Sequence, residues 1–171
     1  MMRTMRGFLV VCFSIFLLTS VVLTAQQAKP GLLNADEIKQ VTPATYFFRG
    51  QSAPVQLRNS AGFRVSDGKL VLAGLVDVGG YASDVQSKYQ GFLITEVKLH
   101  IEGSELAPGQ YGFSFSKDGK FLLLDVGAND LLSVSSHHDD KLARPTPLRI
   151  VEEAGGYRLY TGKTWVSLKI E

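Results

Sequence analysis

The chain is almost without cysteine: one thiol, Cys12, among 171 residues, and none after residue 25. From Gln26 onward there is consequently no disulfide, thiolate metal site or cysteine nucleophile, and packing alone has to hold the fold. Net charge is scarce as well. Of the 18 Lys and Arg, Arg3 and Arg6 precede Gln26, which leaves sixteen bases against sixteen acids. Without a basic run or an interleaving of basic and aromatic residues, no nucleic-acid partner is expected. Catalytic signatures are missing too: there is no G-x-S-x-G, P-loop, H-E-x-x-H or metal-finger spacing. No catalytic residue and no cofactor is therefore assigned. A repeat of fixed period and low-complexity segments are also absent.

The one long apolar run lies at the start. Arg3 and Arg6 form a positive segment, residues 8–23 are apolar or hydroxylic throughout, and Leu23-Thr24-Ala25 offers a small residue for cleavage. A spanning helix needs roughly 20 apolar residues, so residues 1–25 read as a signal peptide rather than a retained anchor. Cys12 follows Val11 and lies too close to the arginines for a lipoprotein site. The expected product is secreted or periplasmic after cleavage near Ala25, touches membrane only through its leader, and forms a single β-rich domain over residues 26–171.

Residues 106–126 organise that domain as a β-hairpin. Pro108-Gly109 suits a type II turn, and Asp118-Gly119 suits the two central positions of a type I′ turn. A two-residue turn there pairs Phe115 with Leu122, Phe113 with Leu124 and Tyr111 with Val126 on one face. Phe121 and Leu123 then share the other face with Ser114 and Ser116. They are too apolar for water, so the hairpin is expected to be covered on both sides or to face a ligand or partner. Asp67-Gly68 repeats the signal and pairs Val65 with Leu70, Arg64 with Val71 and Phe63 with Leu72. Asn34 with Glu37 predicts a capping box and a short helix before Pro43, and Ser83 with Gln86 predicts a second helix stopped at Gly91. Strands are expected at 45–49, 55–58, 70–78, 92–101, 131–135, 148–152, 157–161 and 164–170 besides the central hairpin. About nine strands make an all-β domain, an antiparallel β-sandwich or a partly open β-barrel.

Three groups of residues carry the candidate chemistry. His137, His138 and Asp139 supply two imidazoles and a carboxylate for a metal ion, with His100 as a distant third imidazole, although adjacent histidines on an extended chain point to opposite sides. Asp77, Glu96 and Asp125 each interrupt an apolar strand, and an inward acid needs a partner. Arg49, closing the aromatic run Tyr46-Phe47-Phe48, is expected to be partly buried against one of them. Tyr111 and Trp165 offer stacking surfaces, together with Tyr157 and Tyr160. In the last strand Val166, Leu168 and Ile170 take one face, which leaves Trp165, Ser167 and Lys169 on the other.

The opening Leu106-Ala-Pro108-Gly109-Gln-Tyr111 resembles the strand entry of many exported bacterial β-sandwich domains. The segments Tyr46-Phe-Phe-Arg49-Gly50-Gln51-Ser-Ala-Pro54, Leu75-Val-Asp77-Val-Gly-Gly-Tyr81, Lys88-Tyr89-Gln90-Gly91 and Arg158-Leu159-Tyr160 are similar to an uncharacterised family of small secreted bacterial proteins of the acidobacterial type. That resemblance implies export and one β-rich domain, and brings no activity or catalytic residues with it. The functional expectation is a non-enzymatic exported domain binding a small molecule, glycan or envelope protein. Its rivals are a metal-dependent or carboxylate-based hydrolase, and an envelope component that assembles through a strand edge at 55–58 or 164–170.

Overall fold

The computed structural model describes residues 29–171, so the expected signal peptide lies outside the described residues. They form two antiparallel sheets packed as a sandwich rather than a closed barrel. The first sheet runs β1 (Gly31–Leu32), β3 (Gln51–Arg64), β4 (Leu70–Val76), β5 (Gly91–Thr95), β8 (Gly109–Phe115), β9 (Lys120–Leu124), β10 (Asp130–Ser135), and β2 (Thr45–Phe48) pairs with the start of β3. The second runs β12 (Thr146–Glu153), β13 (Gly156–Gly162), β14 (Thr164–Ile170), β6 (Leu99–Ile101), β7 (Ser104–Leu106), with the two-residue β11 (His137–His138) beside β14.

Among the described residues fourteen strands replace the nine expected, because the short β1, β7 and β11 carry no sequence signal and one apolar run is divided between the sheets. The alternating stretch 92–101 is β5 in the first sheet and β6 in the second. Its corner is made by Thr95, whose hydroxyl donates to the Val97 carbonyl at 2.6 Å and accepts from the Val97 amide at 3.2 Å. Leu93, Leu99 and Ile101 are all fully buried, so the alternation survives the crossing.

Both Asp-Gly hairpins differ in register from the sequence reading by one residue. In the central hairpin Phe115 faces Phe121, Ser114 faces Leu122, Phe113 faces Leu123 and Gly112 faces Leu124. Ser116 receives the Lys120 pair, and the Gly119 amide donates to the Ser116 carbonyl, so the loop has three residues with Gly119 left-handed at φ 77°. The Asp67-Gly68 hairpin does the same: Arg64 faces Leu70, Phe63 faces Val71, and Gly68 has φ 87°. The slip costs nothing in burial because the first sheet is covered on both faces.

Its inner face joins the second sheet in one core, where Phe63, Leu93, Phe113, Phe121 and Leu123 meet Leu159, Val166 and Leu168. Its outer face is capped by the chain itself. Tyr46, Phe48 and Ala53 of the β2–β3 hairpin pack with Ile38 and Tyr89 on Phe92, Leu72, Val76 and Leu124, and the Tyr46 and Phe92 rings stack at 5.4 Å. The long β3 makes this possible. Its first residues pair with β2, its last with β4, and residues 56–59 bulge between Val55 opposite Val76 and Ser60 opposite Gly74. Tyr89 lies flat on the strand at Gly112, where any Cβ would stand 1.9 Å from the ring, and its hydroxyl donates to the Asp125 carbonyl at 2.7 Å. Only glycine fits there.

The helix α1 (Ala35–Val41) forms as the capping box predicts: the Asn34 side chain accepts from the Asp36 and Glu37 amides, and Glu37 accepts from the Asn34 amide. The second helix, α2 (Ser83–Lys88), starts after Ala82 and has no side-chain cap, so Ser83 does not play the part its spacing suggested; Gln86 instead donates to the Tyr81 carbonyl. Strand β14 is no edge. It pairs with β13 on one side and with β6 and β11 on the other.

Candidate functional site

The outer face of the second sheet is built by strict alternation. With Leu159, Val166 and Leu168 turned into the core, Arg158, Tyr160, Trp165 and Ser167 must face outward. Register then aligns Arg149 of β12, Tyr160 of β13, Trp165 of β14 and His137 of β11 as one row across four strands. The rings follow the row. The Arg149 guanidinium lies 4.6 Å above the Tyr160 ring, Tyr160 is 6.1 Å from the indole, and the His137 ring stacks on the indole at 4.4 Å. Arg158, two residues before Tyr160 on β13, lays its guanidinium 4.0 Å from the indole centre.

Carboxylates hold this row in place. Arg158 is 3.3 Å from Glu153, and the Tyr160 hydroxyl donates to Asp139 at 3.3 Å. Glu102, in the β6–β7 turn, accepts from the Ser167 amide and lies 2.9 Å from His137 Nε2. Partial burial opposes charge on Glu102, yet the Ser167 amide and the His137 imidazole outweigh it and hold the carboxyl below the usual glutamate range. Arg149 differs from Arg158. Among the described residues it has no ion pair, and its buried Nε lacks a hydrogen-bond partner. Beside the row a groove of about 170 Å³ is lined by Glu153, Tyr157, Arg158, Trp165, Ser167 and Lys169.

Arg158 from β13 and His137 from β11 both lie against the indole, so its ring is already in contact with the protein's own side chains. A sugar stacking there would compete with them. What the face offers instead is a stiff row of aromatic rings and guanidinium edges, the residue types that dominate protein-binding surfaces.

The other sequence candidates do not gather. Tyr111 is a core residue, its ring packed between the sheets and its hydroxyl donating to the Ala107 carbonyl at 2.9 Å, so it offers no stacking surface. Arg49 is exposed rather than buried: Arg49-Gly50 is the two-residue turn between β2 and β3, with φ 45° and 78°, and strand 45–49 ends at Phe48. Asp77 and Asp125 lie at one end of the first sheet and Glu96 at the other, on separate turns. Each carboxylate caps local backbone: Asp77 accepts from the Gly79 amide, Glu96 from the Leu70 amide, and Asp125 from the Gly127 and Asn129 amides. The Asn129 side chain and these amides hold the Asp125 carboxyl below its ordinary range.

His137 and His138 point to opposite sides of β11, the first to Glu102 and the second to Asp140 at 3.4 Å. Asp139 shares the outer face with His137 but binds Tyr160 and the Lys141 amide. Among the described residues no three His, Cys, Asp or Glu side chains are grouped to hold a metal ion. Glu102 and Arg149 were not singled out by the sequence. The alternation through 149, 158, 160 and 165 was there to be read, but the pairing of β11 with β14 that brings in His137 was not. No family model, curated protein or solved structure matches the chain.

Proposed function

We propose that this protein is a non-enzymatic binding domain, exported from a bacterial cell, that docks an envelope protein through the outer face of its second sheet. One observation carries the reading: the first sheet is covered on both faces by its own chain, whereas the outer face of the second has no second core over it and presents the half-buried Arg149 and Trp165 and the exposed His137 around a buried Tyr160. Arg149 is half-buried and has no ion pair among the described residues, which suits a partner carrying carboxylates or free carbonyls.

Trp165 is the only tryptophan of the chain, so the proposed surface carries its own fluorophore. Titrating the protein with fractionated envelope proteins should shift the emission of Trp165, and Arg149→Ala should weaken the response by about tenfold, the ~1.4 kcal/mol expected of one charged hydrogen bond. Emission that stays constant with every fraction, including those that bind by an independent assay, would place the contact elsewhere and remove this reading.

A further inference from the structure

We propose that the protein has a second site, apart from the open face, that takes one small anionic molecule with a carboxylate or phosphate as its charged group. The site lies at the end of the first sheet, where the β2–β3 turn, the last turn of α2 and the loop between β9 and β10 meet around a cavity of about 260 Å³. Arg49 and Lys88 face it from two different elements, Asn129 closes the third side, and Phe48 and Tyr89 form the wall.

Among the described residues no acid lines this cavity. Asp125, directly beneath the loop, has both carboxylate oxygens engaged by Gly127 and Asn129. Asp130 is 3.9 Å from Lys88, with half or more of each side chain exposed, a contact that solvent weakens to little. Arg49 has no ion pair among the described residues. Its backbone nonetheless fixes the guanidinium's origin, because the Arg49 amide donates to the Val126 carbonyl at 2.9 Å and ties the turn to the loop.

The position of Arg49 is itself costly. At φ 45° glycine, asparagine or aspartate would sit with less strain, so the backbone gives no reason for an arginine. A cavity lined by a guanidinium without an ion pair and an ammonium only weakly paired gives one: a guanidinium binds an oxyanion with two parallel hydrogen bonds, and the ammonium adds a point charge. Behind the shared wall of Phe48, Val85 and Tyr89 lies a smaller space lined by Tyr46, whose hydroxyl is buried and has no partner among the described residues. The volume falls just under the ~300 Å³ at which drug-sized pockets begin, which suits a molecule of a few heavy atoms and not a polymer.

The test uses inorganic phosphate and, separately, acetate as probes, at low ionic strength, read by calorimetry and by amide NMR. Saturable binding of at least one probe is expected, with shifts confined to residues 49–50, 88–89 and 127–129 and none around Trp165. Arg49→Gln should weaken it by about tenfold or more. Arg49→Gly should raise the thermal midpoint without probe, since glycine accepts φ 45°, and lose the probe-dependent rise, which separates binding from folding. Shifts that are absent, scattered or centred on Trp165, or an Arg49→Gln variant that binds as well as wild type, would overturn the proposal.

Discussion

The two outer faces of this sandwich are treated in opposite ways by the same chain. Over the first sheet the β2–β3 hairpin and both helices fold back and build a second core on Phe92, Leu124 and Tyr89. Over the second sheet no second core is built, and the outward side chains, the buried Tyr160 among them, satisfy one another by stacking and ion pairing. The difference shows where stability and recognition reside: the covered face is held by burial, which depends on shape, and the open face by planar groups that remain usable by a partner.

The sharpest test of that division is a pair of aromatic truncations. Phe92→Ala removes a fully buried ring between the first sheet and its cover and should cost ~3 to 5 kcal/mol. Trp165→Ala, which removes a larger ring from the open face, should cost about 1 kcal/mol, chiefly the Arg158 and His137 contacts. Urea midpoints of the two variants measure both. Equal losses would mean that the open row is as much a core as the covered one.

A second variant probes the cover from the other direction, by addition instead of removal. Gly112→Ala places a methyl where the Tyr89 ring lies, and Tyr89 is 1% exposed and tied to Asp125, so it has nowhere to go. A loss of ~1 to 3 kcal/mol is expected, with NMR shifts running through Phe48 and Tyr46 while the second sheet is unmoved. If the loss is negligible, the cover is loosely seated.

The smallest effect concerns the open face and pH. Because Glu102 titrates lower in the folded chain than unfolded, its contribution is present above the ordinary glutamate value of about 4.3 and disappears as pH falls through the depressed folded value. Glu102→Gln should flatten that part of the acid limb in a stability profile taken between neutral and strongly acid pH. An unchanged limb would show that Ser167 and His137 do not hold the carboxylate as the geometry indicates.

The sandwich, the Asn34 capping box and the outward indole were legible because each rests on a local rule: alternation in 164–170, an acid three places after an N-cap residue, turn signals at short intervals. Register was not. When one face of a strand is polar, a slip of one residue is forbidden; here Phe121 and Leu123 or Leu122 and Leu124 can face inward, and the remaining pair is buried by the β2–β3 hairpin, so hydrophobic pattern cannot choose. The choice falls to the turn, and Asp-Gly serves either a two-residue loop or a three-residue loop with a left-handed glycine. The two-residue left-handed turns were made by Arg49-Gly50 and Glu102-Gly103, whose first residues give no such signal. By sequence alone Arg49 therefore reads as the end of a strand. The proposed acid cluster failed for a related reason: an acid at a strand end finds backbone amides nearer than any arginine.

The central place of β14 sets an order of events in time. The β6–β7 hairpin pairs with itself and with β14, and β14 follows it by ~60 residues, so the second sheet cannot grow strand by strand as the chain is made. Two hairpins, β6–β7 and β12–β13, must wait as separate pieces until one late strand slides between them. Closing that gap is a long-range event, slower than any of the turns, and it also brings Trp165 against His137. A chain caught before this step has its first sheet and cover available to fold, while the surface proposed to meet the partner does not yet exist.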